Sequence, residues 1–115
     1  MKVSFEGFDE KLASFKSDST TAAVAGACAK MASSGTVTVC SAGDDLIGVT
    51  TAVENGFATV QLTGYVKLKY SSTAPTVGYG ILVADASGGV KTALSGKTYL
   101  VLDVDTTAKT VGFIL

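Results

Sequence analysis

Leu-Ile-Gly-Val-Thr-Thr-Ala-Val-Glu-Asn-Gly-Phe-Ala-Thr-Val-Gln-Leu-Thr, residues 46–63, decides how this chain is read. Asn55-Gly56 lies between two runs rich in β-branched and apolar residues. A two-residue type I′ turn needs positive φ at both central positions, which Asn and Gly tolerate best, so the pair predicts a tight hairpin. Its arms are Leu46 to Glu54 and Phe57 to Thr63. In the second arm Ala58, Val60 and Leu62 alternate with Phe57, Thr59, Gln61 and Thr63, the period of a half-buried strand.

The same grammar extends in both directions. Downstream, Gly64 bends the path. Tyr65 to Tyr70 alternates again, with Val66 and Leu68 inward and Lys67 and Lys69 outward. A loop holding Pro75 leads to an apolar strand from Tyr79 to Ala84. Short strands follow at Val90 to Ala93, Lys97 to Val104 and Lys109 to Leu115, with turn residues between them. Upstream, Thr36 to Cys40 alternates cleanly as the return strand of a hairpin closed by Ser33-Ser34-Gly35. With a loop of those three residues, Cys28 and Cys40 face each other across the ladder. A loop one residue longer sends them to opposite faces.

Ala22 to Ala32 reads two ways. Its alanines favour helix, while Gly26 in a helix interior costs about 1 kcal/mol relative to Ala. A strand from Gly26 to Met31 is the preferred reading, with Ala27, Ala29 and Met31 on one face and Cys28 and Lys30 on the other. Leu12 to Lys16 is a further short strand, and Val3-Ser4-Phe5-Glu6 alternates as a first one.

Strands recurring every 8–12 residues or so, with turn chemistry between them, mark an all-β sandwich or barrel. The fold expected is a single compact β-barrel or β-sandwich of about eight to ten short, mostly antiparallel strands. Residues 1–25 form an N-terminal strand or arm region packed on or extending from the domain, and residues 26–115 form the β domain. No linker, low-complexity tail or internal repeat is evident.

Composition agrees and narrows the chemistry. The 115 residues include 13 glycines and a single proline, as a chain of many turns requires. Charged residues are 17%, the net charge is −1, and all nine basic residues are lysines. Without His, the commonest general base and a leading metal ligand are missing. Without Arg, the usual bidentate clamp on phosphate is missing too. A near-neutral chain builds no basic stripe for nucleic acid. The longest near-apolar run, residues 22–29, falls far short of the roughly 20 residues that span a bilayer. Met1 to Glu6 has no apolar core of a secretory signal. The two cysteines read as buried thiols.

Motif by motif, catalytic readings fail. Ser95-Gly96-Lys97-Thr98 ends like a phosphate-binding loop, but Lys91 stands where its first glycine belongs and a strand follows instead of a helix. Gly78-Tyr79-Gly80 has Val83 where a dinucleotide site needs its third glycine. The acids Asp44, Asp45, Asp103 and Asp105 do not make a loop of alternating calcium ligands. No catalytic residue, metal or cofactor is expected. Tyr65, Tyr70, Tyr79 and Tyr99 offer either a stacking platform for a sugar or base, or aromatic cover for a core edge.

The order of the pieces carries a resemblance. Ala-Gly-Asp-Asp-Leu-Ile-Gly-Val (42–49) precedes the hairpin and Val-Gln-Leu-Thr-Gly-Tyr-Val (60–66). Pro-Thr-Val-Gly-Tyr-Gly-Ile-Leu-Val-Ala-Asp (75–85) and Gly-Gly-Val-Lys (88–91) come next. Tyr-Leu-Val-Leu-Asp-Val-Asp (99–105) leads to Thr-Val-Gly-Phe-Ile-Leu (110–115). From about residue 26 to residue 115 the chain resembles small β-proteins of tailed-phage and prophage heads, of the capsid decoration or head-stabilising kind. The shared motifs are structural turns, so no functional residue is carried over.

The resemblance implies a non-enzymatic virion protein, made in a bacterial cytoplasm, that binds the major capsid protein on the outer head shell. It implies a homo-oligomer, with a trimer the first expectation, and neither nucleic acid nor membrane as partner. The N-terminal strand, anchored by Val3 and Phe5, either adds to a sheet edge on a neighbour or pairs within its own domain. The rival expectation is a β-sandwich recognition module for carbohydrate or a host surface, using the tyrosines.

Overall fold

The computed structural model describes residues 11–115, all strands, turns and loops. The first five strands are β1 (Lys11–Ser17), β2 (Cys28–Ser33), β3 (Thr36–Val39), β4 (Gly48–Glu54) and β5 (Phe57–Thr63). They close into a barrel in the order β1-β3-β2-β4-β5. The next five are β6 (Tyr65–Lys69), β7 (Gly78–Ala84), β8 (Val90–Thr92), β9 (Thr98–Asp105) and β10 (Thr110–Ile114). They form a sheet in the order β6-β10-β9-β7-β8. The Val3 to Glu6 strand lies outside the described residues. The all-β expectation holds, with barrel and sheet present together.

The Asn55-Gly56 hairpin forms as its sequence predicts, with φ of 53° and 79° at the two central residues. Ala22 to Gly26 is neither strand nor helix; β2 starts at Cys28, two residues after the expected Gly26, which itself turns at φ 85°. The β2–β3 loop is shorter than expected, Ser34-Gly35, but a bulge between Met31 and Ser33 restores the count. Ala29 therefore pairs Val39, and Cys40 N–H donates to Cys28 O at 3.1 Å. The two cysteines do face each other.

The two halves repeat one another, although no repeat is evident in the sequence. In the first half β1 neighbours β5, β5 neighbours β4, β4 neighbours β2, β2 neighbours β3, and β3 returns to β1 in parallel. The second half runs β6, β10, β9, β7, β8 in the same way. A single parallel bridge, Tyr70 to Val90, brings β8 back to β6. Registers match residue by residue. Glu54, Val53 and Ala52 pair Phe57, Ala58 and Thr59; Thr51 bulges out; Thr50 and Val49 pair Val60 and Gln61. Asp105, Val104 and Asp103 pair Thr110, Val111 and Gly112; Leu102 bulges out; Val101 and Leu100 pair Phe113 and Ile114. Even lone backbone bonds recur. Ser17 N–H to Gly56 O and Asp18 N–H to Val37 O return as Tyr70 N–H to Lys109 O and Ser71 N–H to Val90 O.

Side-chain size explains why one copy closes and the other stays ajar. The barrel core is small: Ala23, Ala29, Val37, Ala58 and Val60, with Phe15, Ile47 and Leu62 beside it. Gly48 belongs to this economy, because a Cβ there would collide with the Gln61 carbonyl oxygen of the neighbouring strand. The equivalents of Ala58, Val60 and Gly48 are Val111, Phe113 and Tyr99, all buried. Phe113 and Tyr99 meet edge to face, ring centroids 5.2 Å apart. Five strands enclose too little volume for such rings, so the second sheet wraps them with only one closing bridge.

The first barrel completes the enclosure. Cys28, Cys40, Leu46 and Val49 join Leu82, Ala84, Val90, Tyr99 and Phe113 in one continuous core. Backbone bonds lock the joint: Gly43 N–H to Ala84 O, Ala84 N–H to Asp44 O, and Cys28 N–H to Gly88 O. Of residues 11–25, the first seven are a barrel strand, and Ala23 is buried in the barrel core.

Candidate interaction site

Residues that pair across antiparallel strands share a face of the sheet. One such row crosses the first barrel through Leu12, Gln61, Val49 and Cys28. Gln61, Val49 and Cys28 are buried. Gln61 Nε2 donates to the carbonyls of Thr63 and Tyr65, at 3.0 and 3.1 Å, which ties the row to the start of β6.

By the repeat, the equivalent row on the second half is Tyr65, Ile114, Leu100 and Tyr79. It is built of aromatic and aliphatic side chains throughout, and at its β7 end it is uncovered. Tyr79 is 80% exposed. Leu94, beyond the end of β8 as Cys40 lies beyond the end of β3, is fully exposed. Its loop lies over the Tyr79 face of β7, since Gly96 sits against Ile81 and Val83. No Asp, Glu, Lys or Arg occurs from Tyr70 to Ala84 or from Thr92 to Gly96. Charges at the rim are Lys97, whose amine stands 5.3 Å from the Tyr99 ring centroid, and Asp45, which approaches Gly96.

A second exposed apolar group belongs to the first barrel. Val53 and Phe57 flank the Asn55-Gly56 turn at 38% and 55% exposure, and Val24 stands out from the β1–β2 loop at 52%. Beside the β2–β3 hairpin runs an open groove of about 330 Å³, with Asp18, Thr21, Lys30, Met31, Thr38 and Val39 in its wall. At its edge Lys30 Nζ meets Asp44 Oδ2 at 2.6 Å. That hydrogen bond holds the Lys30 amine above its ordinary range. The same bond, helped by Ser41 N–H, holds the Asp44 carboxyl below its own.

The remaining ionisable groups serve the fold. Asp85 Oδ1 accepts from Ser87 N–H, Ser87 Oγ and Gly89 N–H, and so shapes the loop that clasps the barrel. Cys28 Sγ donates to Gly89 O in that loop at 3.3 Å. Burial pushes the Cys28 thiol up to about 12 and the Cys40 thiol up to about 11, and both are free thiols. Asp103 meets Lys67 at 3.5 Å. Asp105 accepts from Thr107 and Ala108 N–H in the β9–β10 turn. Among the described residues no three His, Cys, Asp or Glu side chains gather as metal ligands.

The structure redistributes the residues that the sequence singles out. The four tyrosines do not make a platform: Tyr70 and Tyr99 are core residues, and Tyr99 Oη reaches Leu46 O at 3.3 Å. Ser95-Gly96-Lys97-Thr98 runs from a turn into β9, as the absence of its first glycine implies. Val3 and Phe5 lie outside the described residues. Leu94 belongs to no motif, yet it stands at the centre of the exposed patch. Its one signal is a large aliphatic residue inside an otherwise turn-like Thr-Ala-Leu-Ser-Gly run (92–96), where a bare turn has no use for one. Among protein-family models and curated proteins, nothing matches this chain.

Proposed function

We propose that this protein is a non-enzymatic decoration protein of a tailed-phage head, binding the major capsid protein on the outer shell and reinforcing it. Its place of synthesis is the bacterial cytoplasm and its place of action is the virion. The observation that carries the reading is a pair of exposed apolar groups, Val53 with Phe57 and Tyr79 with Leu94, one on each half of a body welded by a shared core. A protein that bridges shell subunits needs two contact surfaces held at a fixed separation, and a rigid double β-body meets that need. Exposed apolar side chains supply contact energy without demanding a chemical reaction. The order of turns and strands from residue 42 to residue 115 supports the same reading.

Co-sedimentation tests it. Heads of a tailed phage whose genome encodes this chain are stripped of surface proteins and mixed with the purified protein. The reading expects saturable binding at a fixed ratio to the major capsid protein. Failure to sediment with the heads at any protein concentration overturns it.

A further inference from the structure

The repeat leaves one contact used and the same contact unused. In the first half the outer row ending in Cys28 is buried against the second half, whose β7 contributes Leu82 and Ala84 to the shared core. In the second half the equivalent row ends in Tyr79 and is open. The β2 positions equivalent to Leu82 and Ala84 are Met31 and Ser33, and they are open too; Met31 is 43% exposed and stands in the wall of the 330 Å³ groove. The chain therefore carries an uncovered row at one end of the pattern and an uncovered receiving side at the other.

We propose that a second copy of this chain continues the pattern: Tyr79 and Leu94 of one molecule dock on the Met31 side of the first barrel of the next. The contact is heterologous, row to groove, so it propagates head to tail and closes into a ring if its rotation permits. Electrostatics allow it. The Tyr79 and Leu94 segments are charge-free. In the groove, Lys30 is matched by Asp44, and Asp18 accepts from Thr21 N–H at 2.8 Å. Docking therefore strands no charge without a partner. The exposed apolar area of Val77, Tyr79 and Leu94 is on the order of 400 Å², about half of what one partner contributes to a standard stable interface. Self-association is accordingly weak and concentration-dependent. It stands apart from the capsid reading, since it concerns the free protein.

Sedimentation velocity from about 1 µM to about 1 mM is the test, spanning the range expected for interfaces of this size. The wild type is expected to sediment faster as concentration rises, undiminished by added salt. Tyr79→Ser with Leu94→Ser removes the row, and Met31→Lys blocks the groove; each variant alone stays monomeric. All three positions are exposed, and circular dichroism checks that each variant keeps the wild-type fold. Mixed together, the two variants retain one intact interface between them and form a heterodimer that grows no further. A wild type monomeric throughout overturns the proposal. So does a row variant that associates as the wild type does, or a mixture that fails to pair.

Discussion

Thr50 shows at a single residue what divergence between the two halves costs. Its hydroxyl is buried and, among the described residues, has no hydrogen-bond partner. The equivalent residue in the second half is Val101, which fills the same position with a methyl group. Leaving a buried hydroxyl unpaired forfeits its hydration, so Thr50→Val is expected to raise unfolding free energy by about 1 kcal/mol. Urea unfolding measures it; a loss of stability refutes this view of Thr50. Cys28 and Cys40 make a second residue-scale case. Each thiol ionises at its ordinary value of 9.0 once unfolded, but burial holds it protonated up to about 12 and 11 in the fold. A raised folded value stabilises fully below pH 9 and is lost as pH climbs through 11 to 12. Tyr99, raised to about 12 by burial, acts in the same direction from its ordinary 10.0. Stability is expected to fall between pH 9 and pH 11. In Cys28→Ala with Cys40→Ala that fall is shallower, although the variant is less stable at neutral pH. An unchanged slope in the double variant contradicts the assignment. In the native state at about pH 8 both thiols are expected to resist a disulfide reagent that titrates two per chain after denaturation.

At the scale of elements, the turns carry the clearest asymmetry. Gly56 has a positive φ of 79°, and its counterpart Lys109 adopts φ 57° with a full side chain. A non-glycine residue in this region costs about 1–2 kcal/mol, partly offset by glycine's greater freedom when unfolded. Lys109→Gly is therefore expected to stabilise by about 0.5–1 kcal/mol, read from the shift in thermal midpoint, whereas Gly56→Ala destabilises. Local turn chemistry is legible in the sequence because Asn-Gly, alternation and β-branched runs act within a few residues. The hairpin, the faces of β5 and β6 and the facing cysteines follow from it. The repeat is not legible. Its halves share pairing partners and a bulge position but fill their cores differently, Ala58 and Val60 against Val111 and Phe113, so equivalent positions differ in identity. Strand order is hidden too, because β3 reaches β1 over a separation that no local signal encodes. The interaction row is invisible for the same reason, since Tyr65, Ile114, Leu100 and Tyr79 come together only through registers of four separate strands.

At the scale of the whole molecule, two copies of one five-stranded unit are joined. The first is small-cored and closed; the second is large-cored and sealed by the first. The joint buries apolar side chains from both halves and is crossed by backbone hydrogen bonds, so the halves behave as a single body. Such a body holds its two exposed apolar groups at a fixed spacing, which is the property a shell clamp requires. The most direct measurement is the temperature at which DNA escapes from stripped heads, followed by dye fluorescence with and without saturating protein. Bound protein is expected to move DNA release to a higher temperature. Identical release curves from bare and saturated heads would contradict a reinforcing role.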